Sequence, residues 1–537
     1  MAAYSLTVEK ETELQHRWTE LDNCRTSILT NCEEYASWTL PYLFPPIGTN
    51  KAAELQNSKD SIGAQAVNNL ANKVVSTLFP GQRNFFRLVV DTKTKQMITE
   101  AMAAEASGDT ANAQAQLAAA LEEVDKQLLS TEKQAMEYMD MVAYRPIAVH
   151  AAKLLVTTGN ALMFHPPNKP VQCYGLRDYV VVRDISGQVI EMMTRDEKAF
   201  ETFSPEVQEQ LMNKHRNKYT KSGLKSKPVC VYTQIRLEDD GKFHVRQDAD
   251  DVKLQLIGAV WTKDTLPWIP LVWNLVQGED YGRGLVAEYA GAFHAVNVLT
   301  ASLLNMSAIM ADTKFLVNPA SVLDIAELNR SLPGSYHSGR EGDITTPQLN
   351  KVNDASFIQS MIERYEKQIA GAFLLLSQLT RNAERVTAEE IRRDANELEM
   401  SNGGIYSRLA ATWQTPTATV TLYQIDFKGV GDGIVPQIIT GMDSLSRASE
   451  MDNMYMLLTD LAALNNVPED VRAFIKKSEY IAYCAKNRQV DNQAWTMTAA
   501  EMQAMQAQAM QQQQNLLAQE NQGKVQAEAG KQAVKEQ

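Results

Sequence analysis

The sequence predicts an α+β chain, mainly α, and three observations carry that prediction. Apolar residues recur at spacings of three and four over several long stretches, the mark of a helix with one buried face. One block, from about residue 161 to 276, alternates with period two, the mark of half-buried strands. Two long seamed helices then bracket an insertion holding Pro319, Pro333 and Pro347, which no continuous helix tolerates. At 537 residues the chain is long enough for roughly three or four structural units at ~100–200 residues each.

Helical spacing begins at about Val8 and runs to Ser37. DSIGAQAVNNLANKVVSTLF, Asp60 to Phe79, is a second helix stopped by Pro80-Gly81. NFFRLVV reads as a short strand. Ala-rich helices follow to about Met141, with Leu117, Leu121, Val124 and Leu128 on one stripe. The next helix, about Pro146 to Thr158, meets a C-terminal stop at Gly159-Asn160. In the period-two block, VVVRDISGQVIEMMT is two strands joined at Ser186-Gly187. CVYTQIRLEDDGKFHVR is two more, joined at Asp240-Gly241, a pair that suits tight hairpin turns. SPEVQEQLMNKHRNKY between them is helical.

From Leu285 the seam runs Leu285, Tyr289, Ala292, Val296, Leu299, Leu303, Met306, Met310. This is a heptad-like helix of ~26 residues, or ~39 Å at 1.5 Å per residue. A second seam, Ile358, Ile362, Tyr365, Ile369, Ala372, Leu376, follows the insertion. If the two helices run antiparallel, the insertion of short strands and one small helix is a tip on a stalk. Met306 and Met310 sit at seam positions and read as packing. Thr387 and Glu390 form a T-x-x-E capping box, so a new helix starts near Ala388 and Ser377 to Val386 is a polar, basic loop. Gly403-Gly404 predicts a kink. Gly429 to Gly433, GVGDG, reads as a linker, and a helical segment is expected from about Ile434 to Tyr483. The tail from about Ala494 is rich in Ala, Gln and Met. It favours helix, but its apolar face is too thin to hold a helix without neighbours.

Composition excludes several classes. The net charge is −13, against a protein that coats nucleic acid through clustered Lys and Arg. No run approaches the ~20 apolar residues of a membrane span, and no signal pattern opens the chain, so no membrane partner and a cytosolic compartment are expected. The five cysteines are odd in number and irregularly spaced, with no C-x-x-C. They read as reduced, mostly buried thiols.

Motifs for chemistry are missing from the sequence. It has no G-x-x-x-x-G-K-[ST] phosphate cradle, no G-x-S-x-G elbow and no H-E-x-x-H. The seven histidines are scattered, so no metal site and no cofactor is expected. Glu389-Glu390 reads as acids placed to suit a helix N-terminus rather than as a catalytic pair. Two basic patches remain: Lys214 to Lys227, which reads as a solvated loop, and Arg381, Arg385, Arg392 and Arg393 around the capping box. The second lies between two long helices, where contact with a polyanion is more credible than elsewhere.

The run AERVTAEEIRRDANELE, Ala383 to Glu399, followed by GGIYS, resembles the portal, or head-to-tail connector, family of short-tailed podoviruses. VNNLANKVVSTLFPGQ, Val67 to Gln82, resembles the same family's NNLA-x-K…LFP stretch. YVVVRDISGQVIEMMTRDEKAF resembles its early β region, and EDYGRGLVAEYAG the start of its first stem helix. The matches are in order and span roughly residues 20 to 490.

The resemblance implies a viral portal architecture of wing, stem, clip and crown, repeated in a homo-oligomeric ring, a dodecamer, around a DNA channel. Residues 1–280 and 388–430 would be wing, 281–312 and 355–376 the two stem helices, and 313–354 the clip. Residues 377–387 would be the tunnel loop, 431–493 the crown, and 494–537 a helical tail or barrel. It implies double-stranded DNA in the channel, with Arg381 and Arg385 facing it and Thr387, Glu390, Arg392 and Arg393 at the loop–helix boundary. Stem packing would rest on Leu285, Tyr289, Val296, Leu299, Leu303, Ile358, Ile362, Tyr365 and Ile369. It further implies terminase and then a tail adaptor at the clip, contact with scaffold, major capsid and internal core proteins, and assembly in the host cytoplasm into the virion's capsid vertex. ATP hydrolysis would belong to the terminase, leaving this chain without catalytic activity. The acidic balance fits, because a channel wall that neutralised phosphates tightly would hold the DNA in place. The alternatives are a ring-forming head–tail adaptor with no DNA-gating role, a nucleic-acid-processing enzyme, and a cellular helical scaffold.

Overall fold

The computed structural model describes residues 14–49, 58–81, 84–89, 110–214, 228–250, 252–254, 260–311, 316–319, 324–332, 334–336, 342–345, 352–375, 404–427 and 437–439, with isolated positions besides. The chain forms two compact units, Met1–Ser444 and Leu445–Gln537. The elements named below lie in the first unit.

Its N-terminal part is helical. α1 (Leu14–Cys24) and α2 (Thr26–Trp38) were expected as one helix and are two. The break lies at Arg25, whose side chain is 1% exposed and donates to Asp22 and to the Tyr179 carbonyl. An arginine buried this deeply needs its donors paired, and turning the chain there supplies the partners. α3 (Ile62–Leu78) lies where expected, with Val67, Leu70, Val74 and Leu78 in the main core. β1 (Arg87–Val89) follows. The Ala-rich stretch is a single helix, α4 (Thr110–Met141). α5 (Tyr144–Thr158) carries Pro146 in its first turn, where a missing N–H costs no intrahelical bond. It ends at Gly159, φ +80°.

The period-two block is two antiparallel sheets. β2 (Asn160–Phe164) and β3 (Gln172–Tyr174) join a later strand in one of them. β4 (Tyr179–Arg183), β5 (Val189–Lys198), β6 (Val229–Leu237), β7 (Phe243–Ala249) and β8 (Val252–Leu254) follow one another in the second, with β9 (Val260–Trp261) also on β7. α6 (Pro205–Lys214) is the helix expected between β5 and β6. Both hairpin turns fall at the dipeptides read from the sequence, with Gly187 at φ +83° and Gly241 at φ +74°. β10 (Trp268–Val272) pairs with β2 and completes the three-stranded sheet.

The seamed helix from Leu285 is also two pieces, α7 (Leu285–Glu288) and α8 (Ala290–Ala311), broken at Tyr289. β11 (Leu316–Val317), α9 (Ile325–Arg330) and β12 (Ile344–Thr345) fall in the insertion, and α10 (Val352–Ala372) returns. α8 and α10 are antiparallel: the Phe293 ring near the start of α8 meets Phe373 just past the end of α10, centroids 5.5 Å apart. At the other end β11 and β12 pair antiparallel. Gly404, φ +82°, precedes a helical run of α11 (Ile405–Leu409), a π-turn (Ala410–Gln414) and α12 (Thr415–Gln424).

Two expectations are corrected. Gln437–Ile439, expected within a helix, is a strand, β13, paired with β1. Pro436 cannot continue a helix, and Ile438-Ile439 are β-branched. No apolar run long enough for a membrane span was expected, yet α8 over Ala290–Met310 meets that length and composition. Its interruptions are His294, Asn297, Thr300, Ser302, Asn305 and Ser307, polar residues that are not formally charged at neutral pH.

Candidate functional site

Among the described residues no three His, Cys, Asp or Glu side chains come together as a metal site would need. Of the described cysteines, Cys32 is buried, Cys173 and Cys230 are half-buried, and Cys24 is exposed, against the expectation that most would be buried. Burial pushes the Cys32 and Cys173 thiols up to about 12, so neither supplies a thiolate near neutral pH. Among the described surfaces, the α8–α10 hairpin stands out.

A close backbone crossing anchors the hairpin's base. The Asn160 amide donates to the Gly282 carbonyl at 2.7 Å, and its Oδ1 accepts from the Gly282 N–H at 2.7 Å. Gly159 sits against Gly284, where an added Cβ would lie 2.4 Å from the Gly284 nitrogen. α7 therefore starts at a fixed point on the three-stranded sheet. Beyond it Ala292, Phe293 and Val296 of α8 are buried with Ile369 and Phe373 in the main core.

The expected packing residues fall into two burial classes. Leu285, Val296, Ile362 and Ile369 are buried, whereas Tyr289, Leu299, Leu303, Ile358 and Tyr365 are half-buried. Met306 is half-buried and Met310 exposed. Off the seam, Val298 is 47% exposed, Leu304 53%, Ile309 60% and Phe357 66%. Val298, Leu304 and Ile309 lie on α8, which carries no formally charged residue, and Phe357 lies on α10; each forgoes part of the roughly 1.5–3 kcal/mol that full burial of a large apolar side chain contributes. Open apolar side chains gathered on one helical hairpin are available for burial against another chain.

The far end is ordered by Asp343, whose carboxylate accepts from the Arg340 N–H at 2.7 Å and whose carbonyl accepts from the Asn318 N–H at 2.9 Å. Asp324 caps α9 through the Ala326 and Glu327 N–H groups. Around this frame Leu316, Ile325, Leu332 and Tyr336 are exposed.

Arg381, Arg385, Thr387, Glu390, Arg392 and Arg393 lie outside the described residues, as do the Lys221, Lys225 and Lys227 end of the other basic patch and the GVGDG stretch. Residues flanking the arginine-bearing segment are described, and they expose a role that spacing alone did not reveal. Asn69, within NNLANK, donates to the Phe373 and Leu374 carbonyls, each at 3.1 Å. Lys73 pairs with Glu397. The sequence signal was Asn69 and Lys73 at i and i+4, in a helix that also carries Gln65, Asn68, Asn72, Ser76 and Thr77. Nearby, Glu366 on α10 is held above the usual carboxylate range by burial and by Asp60 facing it.

Comparisons with known proteins agree over most of the chain. Residues 11–464 match the family described as bacteriophage head to tail connecting protein. The portal protein of Enterobacteria phage SP6 is 31% identical over 464 residues, 86% of each chain. That of Escherichia phage T7 is 30% identical over 461 residues, 84% of this chain and 82% of its own. Among solved structures, the neck of an empty GTA particle computed with C6 symmetry aligns over 80% of this chain and 90% of its own, at 12% identity and a TM-score of 0.33.

Proposed function

Because the chain belongs to the bacteriophage head-to-tail connecting protein family, we propose that it is a structural portal, a ring of about twelve copies around a channel for double-stranded DNA. In this reading 281–312 and 355–376 are the stem, 313–354 the clip, 377–387 the tunnel loop, 1–280 and 388–430 the wing, 431–493 the crown, and 494–537 a helical tail. The ring sits at one capsid vertex after assembly in the host cytoplasm. Terminase docks at the clip during packaging and supplies ATP hydrolysis, and a tail adaptor replaces it. Scaffold, major capsid and internal core proteins meet the remaining surfaces. Arg381 and Arg385 form sparse basic rings near the DNA, on a wall that is acidic overall.

The observation that carries the reading is the hairpin. Its base is rooted in the core, while Val298, Leu304 and Ile309 of α8 and Phe357 of α10 stay exposed. Neighbouring copies packed side by side cover such a face, and a ring results when the rotation between copies closes. Native mass spectrometry of the purified chain, with negative-stain images of the same sample, tests this. A closed ring with an axial hole wide enough for a duplex is expected. A stable dimer without a hole would remove the portal reading. Neutralising Arg381 and Arg385 should lower DNA retention in filled heads, and unchanged retention would reject their role.

A further inference from the structure

The short segment ahead of α3 reaches both helices of the hairpin. On α8 it meets Asn297, whose Oδ1 accepts from the Ser58 hydroxyl and from the Lys59 N–H, each at 3.2 Å. On α10 it meets Glu366, whose carboxyl is hydrogen-bonded to the Asp60 carboxyl. The Ser58 hydroxyl oxygen in turn accepts from the Asp60 N–H at 3.4 Å, so the two grips belong to one short stretch of chain. The end behind them is fixed. The Asp60 carboxylate accepts from the Ile62 N–H at 2.7 Å where α3 starts. Gly63 lies so close to α2 that an added Cβ would be 2.2 Å from the Trp38 carbonyl oxygen. Further along, Val67, Leu70, Val74 and Leu78 hold α3 in the main core.

Two carboxyl groups cannot hydrogen-bond to each other while both are ionised, because neither then carries a donor. One proton must stay between them. Burial, the hydrogen bond to Asp60 and the like charges of Asp60 and Glu363 hold the Glu366 carboxyl above its ordinary range. The start of α3 favours a negative charge at Asp60, so Glu366 is the donor and Asp60 the acceptor. The surrounding elements bring few other charges. The one titratable side chain of α8 is His294, which lies edge-on to Trp38. On α10 Glu363, Arg364 and Lys367 are exposed, as is Lys59 beside Asp60. α3 has no charged residue before Lys73.

We propose that Ser58–Asp60 is a strap across the root of the hairpin, fastened to α8 through Asn297 and to α10 through one proton shared by Asp60 and Glu366, and that it slackens when that proton is lost. The folded chain holds the proton more tightly than the unfolded chain does. The strap's contribution is therefore whole below pH 4.5, the ordinary value for Glu366, and is lost as the pH rises through the raised one. Once the strap is slack, the root of α8 rests on the burial of Ala292, Phe293 and Val296. The device acts within one chain and does not depend on a ring.

The test is hydrogen exchange of the full-length chain at about pH 5 and about pH 8, read at amides 59–62 and 297–301 and corrected for the pH dependence of chemical exchange. In the parent, protection in both windows should fall about tenfold between the two pH values. Glu366→Gln keeps a donor toward Asp60 and cannot ionise, so its protection should change by less than about twofold. Asn297→Ala unfastens α8, so amides 59–62 should be weakly protected at both pH values, within about twofold of each other. A flat profile in the parent would overturn the proton dependence. Equal falls in the parent and in Glu366→Gln would place the titration elsewhere and overturn the proposal. Asn297→Ala with the parent's profile would overturn the fastening to α8. If Glu366→Gln fails to fold, Asp60→Asn, whose side-chain oxygen still accepts from Ile62, reads the same windows, and a fall equal to the parent's would overturn the proposal.

Discussion

The indole N–H of Trp413 donates to the phenol oxygen of Tyr144 at 2.7 Å, with both side chains fully buried. The π-turn at Ala410–Gln414 sets Trp413 at this point of the helical run, and π-turns of this kind concentrate where a particular side chain must be aimed. Tyr144 also shares a hydrogen bond with Thr417 at 3.2 Å, and Phe79 lies edge-on to both rings. Trp413→Phe should lower unfolding free energy by about 1–3 kcal/mol, the cost of a lost buried hydrogen bond plus an imperfect fill. Tyr144→Phe should cost at least as much, since it leaves the indole donor unpaired. Denaturant midpoints for both variants measure this, and a change below about 0.5 kcal/mol would mean that the network contributes nothing net.

Gly159→Ala should destabilise by more than Gly278→Ala. Both glycines have positive φ, +80° and +83°. A Cβ at Gly278 meets nothing within 4 Å, whereas at Gly159 it lies 2.4 Å from the Gly284 nitrogen. The difference isolates the backbone crossing from the conformational cost, which is about 1–2 kcal/mol by itself. Equal thermal shifts for the two variants would show that the crossing relaxes freely.

On the hairpin, Leu304→Ser and Ile309→Ser should leave the single chain within about 0.5 kcal/mol of the parent, as exposed substitutions do. The same change at Val296, 1% exposed, should cost about 2–4 kcal/mol. Association should show the opposite ranking of the exposed pair, with ring formation lost although the folded chain persists. Sedimentation and circular dichroism on the same samples separate the two effects. Rings of normal size from the double serine variant would show that this face is not between copies.

Burial pushes the His165 imidazole down to about 3 from 6.5, and its Nε2 has no partner among the described residues. Below about pH 6.5 the unfolded chain binds a proton there that the folded chain refuses. The stability contribution is therefore whole above that pH and falls as the pH drops toward 3, by at most about 1.4 kcal/mol per unit. Asp178 and Asp196, held above the usual carboxylate range chiefly by burial, act in the opposite direction at the acid end. Between pH 7.5 and 5.0 the parent should lose more thermal stability than His165→Gln. Parallel losses would remove His165 as the cause.

Much of this architecture was legible in the sequence because local signals carry it. Gly159, Gly187 and Gly241 ended a helix and turned two hairpins where the dipeptides indicated. The seams located both long helices, since a four-and-three pattern survives any tertiary context. What escaped were features decided at a distance. The break at Arg25 depends on the Tyr179 carbonyl, 154 residues away. The strand at Gln437–Ile439 exists through its partner Arg87–Val89. At the candidate site, the residues named for packing divide into buried (Leu285, Val296, Ile362, Ile369) and half-buried (Tyr289, Leu299, Leu303, Ile358, Tyr365) sets, a division that periodicity does not encode.

One turn of α3, from Asn69 to Lys73, holds the Phe373 and Leu374 carbonyls and the Glu397 carboxylate. Contacts made some 300 residues downstream therefore share a single support. A change that unseats this turn is felt at the base of α10 and at Glu397 together, so damage there spreads rather than staying local.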